Sequence, residues 1–227
     1  MLKHNIIAHR GLWKGTQEQN SLRALINALD QGFGFETDIR DSCGEIVVSH
    51  EPPTKANKLL LLKELVTGLL AVERPPGNLP VLALNIKSDG LSTQLCEQIS
   101  DITRKYKIYF FDMAVPDMLS YEKEKLPILA RISEVEKSIK QLIDISSGIW
   151  LDSFSAYEWI TQEKLVEICK LKSPVIVVSP ELHQRNDYER FWKHLKKFID
   201  DHPDFATDIA LCTDFPEKAF NFFGGLS

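Results

Sequence analysis

The sequence predicts an α/β fold, a closed (β/α)8 TIM barrel that occupies residues 1–227 as a single domain. Three observations predict it. A chain of 227 residues is long enough for one such barrel, and nothing in it reads as a linker that would divide it. Short apolar runs rich in β-branched residues alternate about eight times with longer segments of helical period, as a parallel sheet with crossover helices requires. Polar residues interrupt the apolar runs at strand ends, where a barrel places its active site. Counting elements leaves an open doubly wound sheet as the alternative.

The elements follow in order. Asn5 to Ala8 reads as the first strand, and Ser21 to Gln31 as a helix whose Leu22, Leu25, Ile26 and Leu29 recur at i, i+3, i+4 and i+7, with Asn20 or Ser21 as its cap. Gly34 to Ile39 is the second strand, followed by an extended piece, Glu45 to Ser49, and a helix from Leu59 to Leu70. Pro75-Pro76-Gly77 punctuates the chain before the third strand, Pro80 to Ile86. A helix from Leu91 to Tyr106, the strand Ile108 to Phe111, and a short helix opening at Val115-Pro116 come next; Pro suits a first turn. Ile128 to Arg131, Gly148 to Leu151, Val175 to Val178 and Asp208 to Cys212 supply strands five to eight. Helices over Glu134 to Ile143, Gln162 to Leu171, Tyr188 to Asp200 and Pro216 to Phe223 follow them in turn. In the seventh helix Phe191, Leu195, Phe198 and Ile199 form a core-facing stripe.

Composition excludes several function classes. The net charge of −5, with lysines and arginines scattered among acids, disfavours a nucleic-acid partner. Lys196-Lys197 reads as a solvated helix face. Cys43, Cys96, Cys169 and Cys212 are far apart and form no CxxC pair, so they read as reduced thiols. The apolar run Ile6-Ile7-Ala8 is too short for a signal-peptide core, and no stretch approaches the roughly 18 apolar residues of a membrane span, so a cytoplasmic protein without stable membrane insertion is expected.

The strand ends collect chemistry. Strand one ends in His9-Arg10-Gly11, strand two contains Glu36-Thr37-Asp38, and the extended piece after it ends in His50-Glu51. Asn85-Ile86-Lys87, Asp112, Asp152 and Thr213-Asp214 close the third, fourth, sixth and eighth strands. Glu36 and Asp38 are two apart, so on a strand both project into the barrel. Such a pair is relieved by protonation of one carboxyl, by a salt-bridge cluster with Arg10, Arg40 or Lys87, or by a divalent cation bound by both, and spacing alone leaves these open. Gly11 permits a tight turn, and Arg10 offers a planar fork of donors suited to phosphate oxygens.

In combination, His9-Arg10-Gly11, Gln19-Asn20-Ser21, Gly34-Phe35-Glu36-Thr37-Asp38 and Val47-Val48-Ser49-His50-Glu51 resemble the successive N-terminal motifs of glycerophosphodiester phosphodiesterases. The resemblance implies a TIM barrel of lipid metabolism that hydrolyses a small phosphodiester with a divalent metal, Mg²⁺ or Ca²⁺. It implies Glu36 and Asp38 as metal ligands, His9 and His50 as the acid–base pair, Arg10 as a phosphate clamp, Asn20 as support for the first loop, and Lys87 as a stabiliser of charge on the phosphate. The plainer alternative for His50 is a loop histidine bonded to Glu51.

Three positions depart from the family pattern. Gln19 stands where Glu is usual, Glu51 where Asp is usual, and Asn85 where a third carboxylate ligand is usual. An Asn carbonyl can still join Glu36 and Asp38 around a hard cation, but without charge, so affinity falls. Asp89 has the parity to compensate, although its place before Gly90 reads as a turn aspartate. A catalytically silent barrel that binds a phospho-ligand is therefore the alternative function, and a lyase-like route to a cyclic phosphate the third. The substrate alcohol and the oligomeric state have no sequence signal.

Overall fold

The eight expected strands close on themselves. The computed structural model describes residues 1–54, 59–73, 77 and 79–224. Its ten strands are β1 Ile6–His9, β2 Gly34–Ser42, β3 Glu45–Val48, β4 Leu60–Leu61, β5 Val81–Ile86, β6 Lys107–Phe111, β7 Leu129–Ile132, β8 Gly148–Leu151, β9 Val175–Val178 and β10 Ile209–Thr213. Parallel pairing runs β6–β5–β2–β1–β10–β9–β8–β7. A parallel bridge, Phe110 to Ile128, joins β6 to β7 and completes the ring. The open doubly wound alternative is thereby excluded, because such a sheet keeps two free edges.

Alternation along each strand sorts side chains into two cores. Ile7, Ala83, Phe111, Trp150, Ile176 and Ala210 meet inside the barrel, where the rings of Phe111 and Trp150 stack at 3.8 Å. Residues of opposite parity, such as Ile6, Phe35, Leu82 and Val177, face outward against the helices. These are α1 Leu22–Asp30, α2 Leu62–Ala71, α3 Ser92–Ile99, α4 Val115–Lys123, α5 Lys140–Ile145, α6 Gln162–Leu171, α7 Tyr188–Asp201 and α8 Pro216–Gly224. The stripe of α7 packs as expected: Phe191, Leu195 and Phe198 are buried, and Ile199 packs against the same core. Removing each such side chain from water contributes about 1.5–3 kcal/mol.

The extended piece after β2 forms as β3, which turns back antiparallel on β2, and β4 adds to it, so the helix expected from Leu59 begins at Leu62. Two further expectations need correction. The helix expected from Leu91 to Tyr106 ends at Ile99 in a 3-10 turn, Ser100–Ile102. There Ser100 Oγ donates to Glu97 O at 3.1 Å and Thr103 Oγ1 to Ser100 O at 2.9 Å, local bonds that compete with a continuing helix. The helix expected from Glu134 forms only as α5, because its first residues are drawn into loop contacts. Ser133 Oγ accepts from Glu136 N at 3.0 Å, and the Glu134 carboxylate accepts from Ser155 N at 2.7 Å. Pro75, Pro76 and the end of the Pro52 to Lys58 loop lie outside the described residues.

Candidate active site

Parity carries the acidic pair inward as expected. On β2, Phe35 and Ile39 pack outward, so Glu36 and Asp38 turn into the barrel, where they are buried. The register sets His9 beside Glu36 and Asn85 beside Asp38. Three neighbouring strands thus deliver the expected groups to one end of the barrel, the end at which β1 and β2 finish.

The loop after β1 then folds over them. Arg10 and Asn20 both adopt positive φ, 56° and 59°, and Gly11 follows at 88°. A Cβ on Gly11 would lie 2.6 Å from the carbonyl carbon of Ala24, so no other residue lets the loop sit this close to α1. Strained φ at adjoining polar residues is a feature of ligand sites. Ser21, not Asn20, caps α1, accepting from Ala24 N at 3.2 Å. Asn20 is thereby free for the site: its Nδ2 donates to Asp38 Oδ2 at 2.8 Å, and its Oδ1 accepts from Thr37 Oγ1 at 2.7 Å.

Asp38 is the hub. Arg10 Nε lies 3.3 Å from its Oδ2 and Lys87 Nζ 3.5 Å from its Oδ1. The salt-bridge arrangement anticipated for the acidic pair therefore forms with Arg10 and Lys87. Arg40 takes no part, since its guanidinium donates to the backbone oxygens of His50 and Lys87. Gln19, in the place of the usual acid, accepts from Arg10 Nη1 at 3.2 Å, whereas the neighbouring Glu18 holds the backbone of Lys14.

Glu36 is less well compensated. Its Oε2 accepts from Arg10 N at 3.2 Å and lies 3.8 Å from His9 Nε2. Burial and the charge of Asp38 push its carboxyl up to about 7, against the pull of His9, Arg10 and Lys87. His9 is fixed from its other nitrogen, Nδ1 lying 2.7 Å from Asp214 Oδ1. Burial alone lowers the His9 pKa, but the bond to Asp214 and the charges of Glu36 and Asp214 outweigh it, and the net shift is upward. Asp214 is itself held through its backbone N–H, which donates to Glu181 Oε1 at 3.1 Å.

His50 sits apart from this network. Its Nδ1 is 2.7 Å from Glu51 Oε1, the contact of the plainer reading, and its side chain is 42% exposed. It nevertheless shares with Arg10 and Asn20 the wall of one cleft of about 1160 Å³. Asp89 accepts from Ala114 N, in the loop after β6, at 3.4 Å, and does not join the site. Across the mouth, Asp112 pairs with Arg131 at 2.9 Å and Asp152 with His183 at 2.6 Å.

A cation would find a partial donor set. Among the described residues no three His, Cys, Asp or Glu side chains are grouped to hold a metal, the third position beside Glu36 and Asp38 being Asn85. Yet Asn85 Oδ1 is buried with no hydrogen-bond partner, an acceptor that a cation or a donor would satisfy. With Glu36 undercompensated beside it, these oxygens fit a hard divalent ion.

Among solved structures, this chain is similar throughout to a glycerophosphodiester phosphodiesterase from Agrobacterium tumefaciens str. C58, with a TM-score of 0.60 over 98% of this chain and 99% of that one, at 15% identity. The two chains share one fold. No protein-family model matches this chain, nor does any of the curated proteins compared with it.

Two groups in this network escaped sequence reasoning as partners. Asp214 was visible only as a polar strand end, and its pairing with His9 spans 205 residues. Glu181, which positions Asp214, lies in a short 3-10 turn after β9 with no motif around it. The parity of β10 was the available signal: Ala210 and Cys212 face the interior, so Asp214 continues that row at the mouth.

Proposed function

We propose that the barrel mouth hydrolyses a glycerophosphodiester or a related small phosphodiester, the protein being a cytoplasmic phosphodiesterase of the glycerophosphodiester phosphodiesterase kind. One observation supports this above the rest: a histidine held by a carboxylate stands beside a buried acidic pair over which two cationic side chains converge. The four N-terminal motifs and the fold shared with the Agrobacterium enzyme agree with it.

Arg10 and Lys87 bind the two non-bridging phosphate oxygens, exchanging part of their pairing with Asp38 for the ligand. His9 donates through Nδ1 to Asp214, which leaves Nε2 directed at the mouth. The bond to Asp214 and the neighbouring carboxylate charges shift its pKa upward, and His9 gives the Nε2 proton to the departing alkoxide. His50, exposed and oriented by Glu51, takes a proton from the attacking water. The P–O bond to water forms as the bond to the alcohol breaks, and the products are a phosphomonoester and an alcohol. Glu36, Asp38 and Asn85 would hold a divalent cation, Mg²⁺ or Ca²⁺, which when bound neutralises phosphate charge. Asn20 holds Asp38 and the first loop in register.

Choline release from glycerophosphocholine in the presence of Mg²⁺ or Ca²⁺ tests the proposal. The His50→Ala variant is expected to lose roughly 100-fold or more in kcat with unchanged far-UV circular dichroism. Unchanged turnover in that variant would remove His50 from the mechanism.

A further inference from the structure

The carboxylate that orients His9 sits in a short turn, and that turn is built on another acid. β10 ends at Thr213 and α8 begins at Pro216, so Asp214 and Phe215 form the whole connection. Among the described residues the Asp214 carboxylate hydrogen-bonds to His9 alone, at 2.7 Å. Its direction is therefore set by its backbone, and the backbone is held from Glu181. Glu181 Oε1 accepts from Asp214 N at 3.1 Å and from the Thr213 hydroxyl, whose oxygen accepts in turn from Phe215 N at 3.1 Å.

Glu181 is anchored from behind as well. Its Oε2 accepts from the Ser179 hydroxyl, and Ser179 Oγ accepts from Trp192 Nε1 at 2.8 Å, which ties the set to the core of α7. An indole N–H and a backbone N–H can only donate, so the proton of each hydroxyl is left to point at Glu181 and every bond in the set runs toward its two oxygens. Ser179, Thr213 and Trp192 are fully buried, where a lost partner leaves a polar group unsatisfied. Burial raises the Glu181 carboxyl above its ordinary value against the pull of these bonds, so the turn takes from Glu181 its acceptor oxygens rather than a fixed charge.

We infer that Glu181 is the positioning residue of the general acid: by holding residues 213–215 it aims the Asp214 carboxylate at His9, and the departure of the alkoxide depends on that aim. The inference rests on the phosphodiesterase reading of the mouth. Two diesters separate this role from a purely structural one. The alkoxide leaving glycerophosphocholine takes the proton of His9 as its P–O bond breaks, whereas p-nitrophenolate, a weak base, leaves the p-nitrophenyl ester of glycerol phosphate without one.

With Mg²⁺ or Ca²⁺ present, Glu181→Met is expected to lower kcat on glycerophosphocholine roughly tenfold. Its kcat on the p-nitrophenyl ester and both KM values should stay within about twofold, because Arg10 and Lys87 grip the phosphate without touching this set. Glu181→Gln, which keeps an acceptor for Asp214 N, is expected to recover most of the loss. Equal losses on the two esters, no loss on either, or Glu181→Gln as slow as Glu181→Met would overturn the inference. Should Glu181→Met fail to fold, the same comparison of esters in Thr213→Val, which removes one hydroxyl, decides. If the wild type cleaves neither ester, the phosphodiesterase reading fails, and the ¹⁵N shifts of the His9 ring at a single pH judge the positioning. Shifts that Glu181→Met moves and Glu181→Gln restores uphold it, and unmoved shifts overturn it.

Discussion

His9 Nδ1 lies 2.7 Å from a carboxylate 205 residues further along the chain, and that contact orients the ring and shifts its pKa upward. Asp214→Asn keeps the shape and removes the charge. We expect the His9 pKa to fall, as burial then prevails, and kcat to drop about 10²-fold; NMR titration of the ring and steady-state kinetics check the two separately. Glu36 makes a second prediction. Its carboxyl is raised from 4.5 to about 7, so the folded protein holds a proton that the unfolded chain releases, and stability declines as pH rises through that window. Taken whole, the shift is on the order of 3 kcal/mol. Urea unfolding at about pH 5 and about pH 8 should show Glu36→Gln flattening the decline. Saturating Mg²⁺ should likewise raise the Tm more at the higher pH, because the cation meets the ionised pair. Glu36, Asp38 and Asn85 were legible as inward groups because strand parity is a local rule. The Asp214 pairing was not, because no local rule joins the two ends of a chain.

Among the elements, the turn from β1 into α1 bears most directly on the site. Gly11→Ala combines a φ of 88° with a Cβ 2.6 Å from the Ala24 carbonyl carbon. A loss of at least about 2 kcal/mol is expected, read as a lowered urea midpoint, together with reduced phosphate binding as Arg10 and Asn20 shift. The β6–β7 seam holds the second elemental prediction. β2 and β5 pair over five residues, whereas β6 and β7 share the Phe110–Ile128 bridge and the bond from Phe110 N to Pro127 O. Hydrogen exchange should therefore find Phe110 less protected than Leu84 or Thr37. Periodicity made α1, α2, α6 and α7 legible, since each buries an apolar stripe. It misplaced the start of α5, where Glu134 and Glu136 satisfy loop donors and Arg131, and it ran α3 past Ile99, where Ser100 and Thr103 bond back onto the chain.

At the scale of the whole molecule, barrel closure gathers the ends of strands distant in sequence around one mouth, and the net charge of −5 leaves the cationic side chains at that mouth locally significant. Closure itself lay beyond counting strands, because an open sheet has the same rhythm; the Phe110–Ile128 bridge between the two ends of the strand path decided it. The most direct test of the account is a phosphorus NMR time course of glycerophosphocholine with wild-type protein and with His9→Ala, each in Mg²⁺ or Ca²⁺. The account predicts a linear phosphomonoester accumulating in the wild type and slowed at least about 100-fold in the variant. No product with either cation, or equal rates in the two proteins, would contradict it.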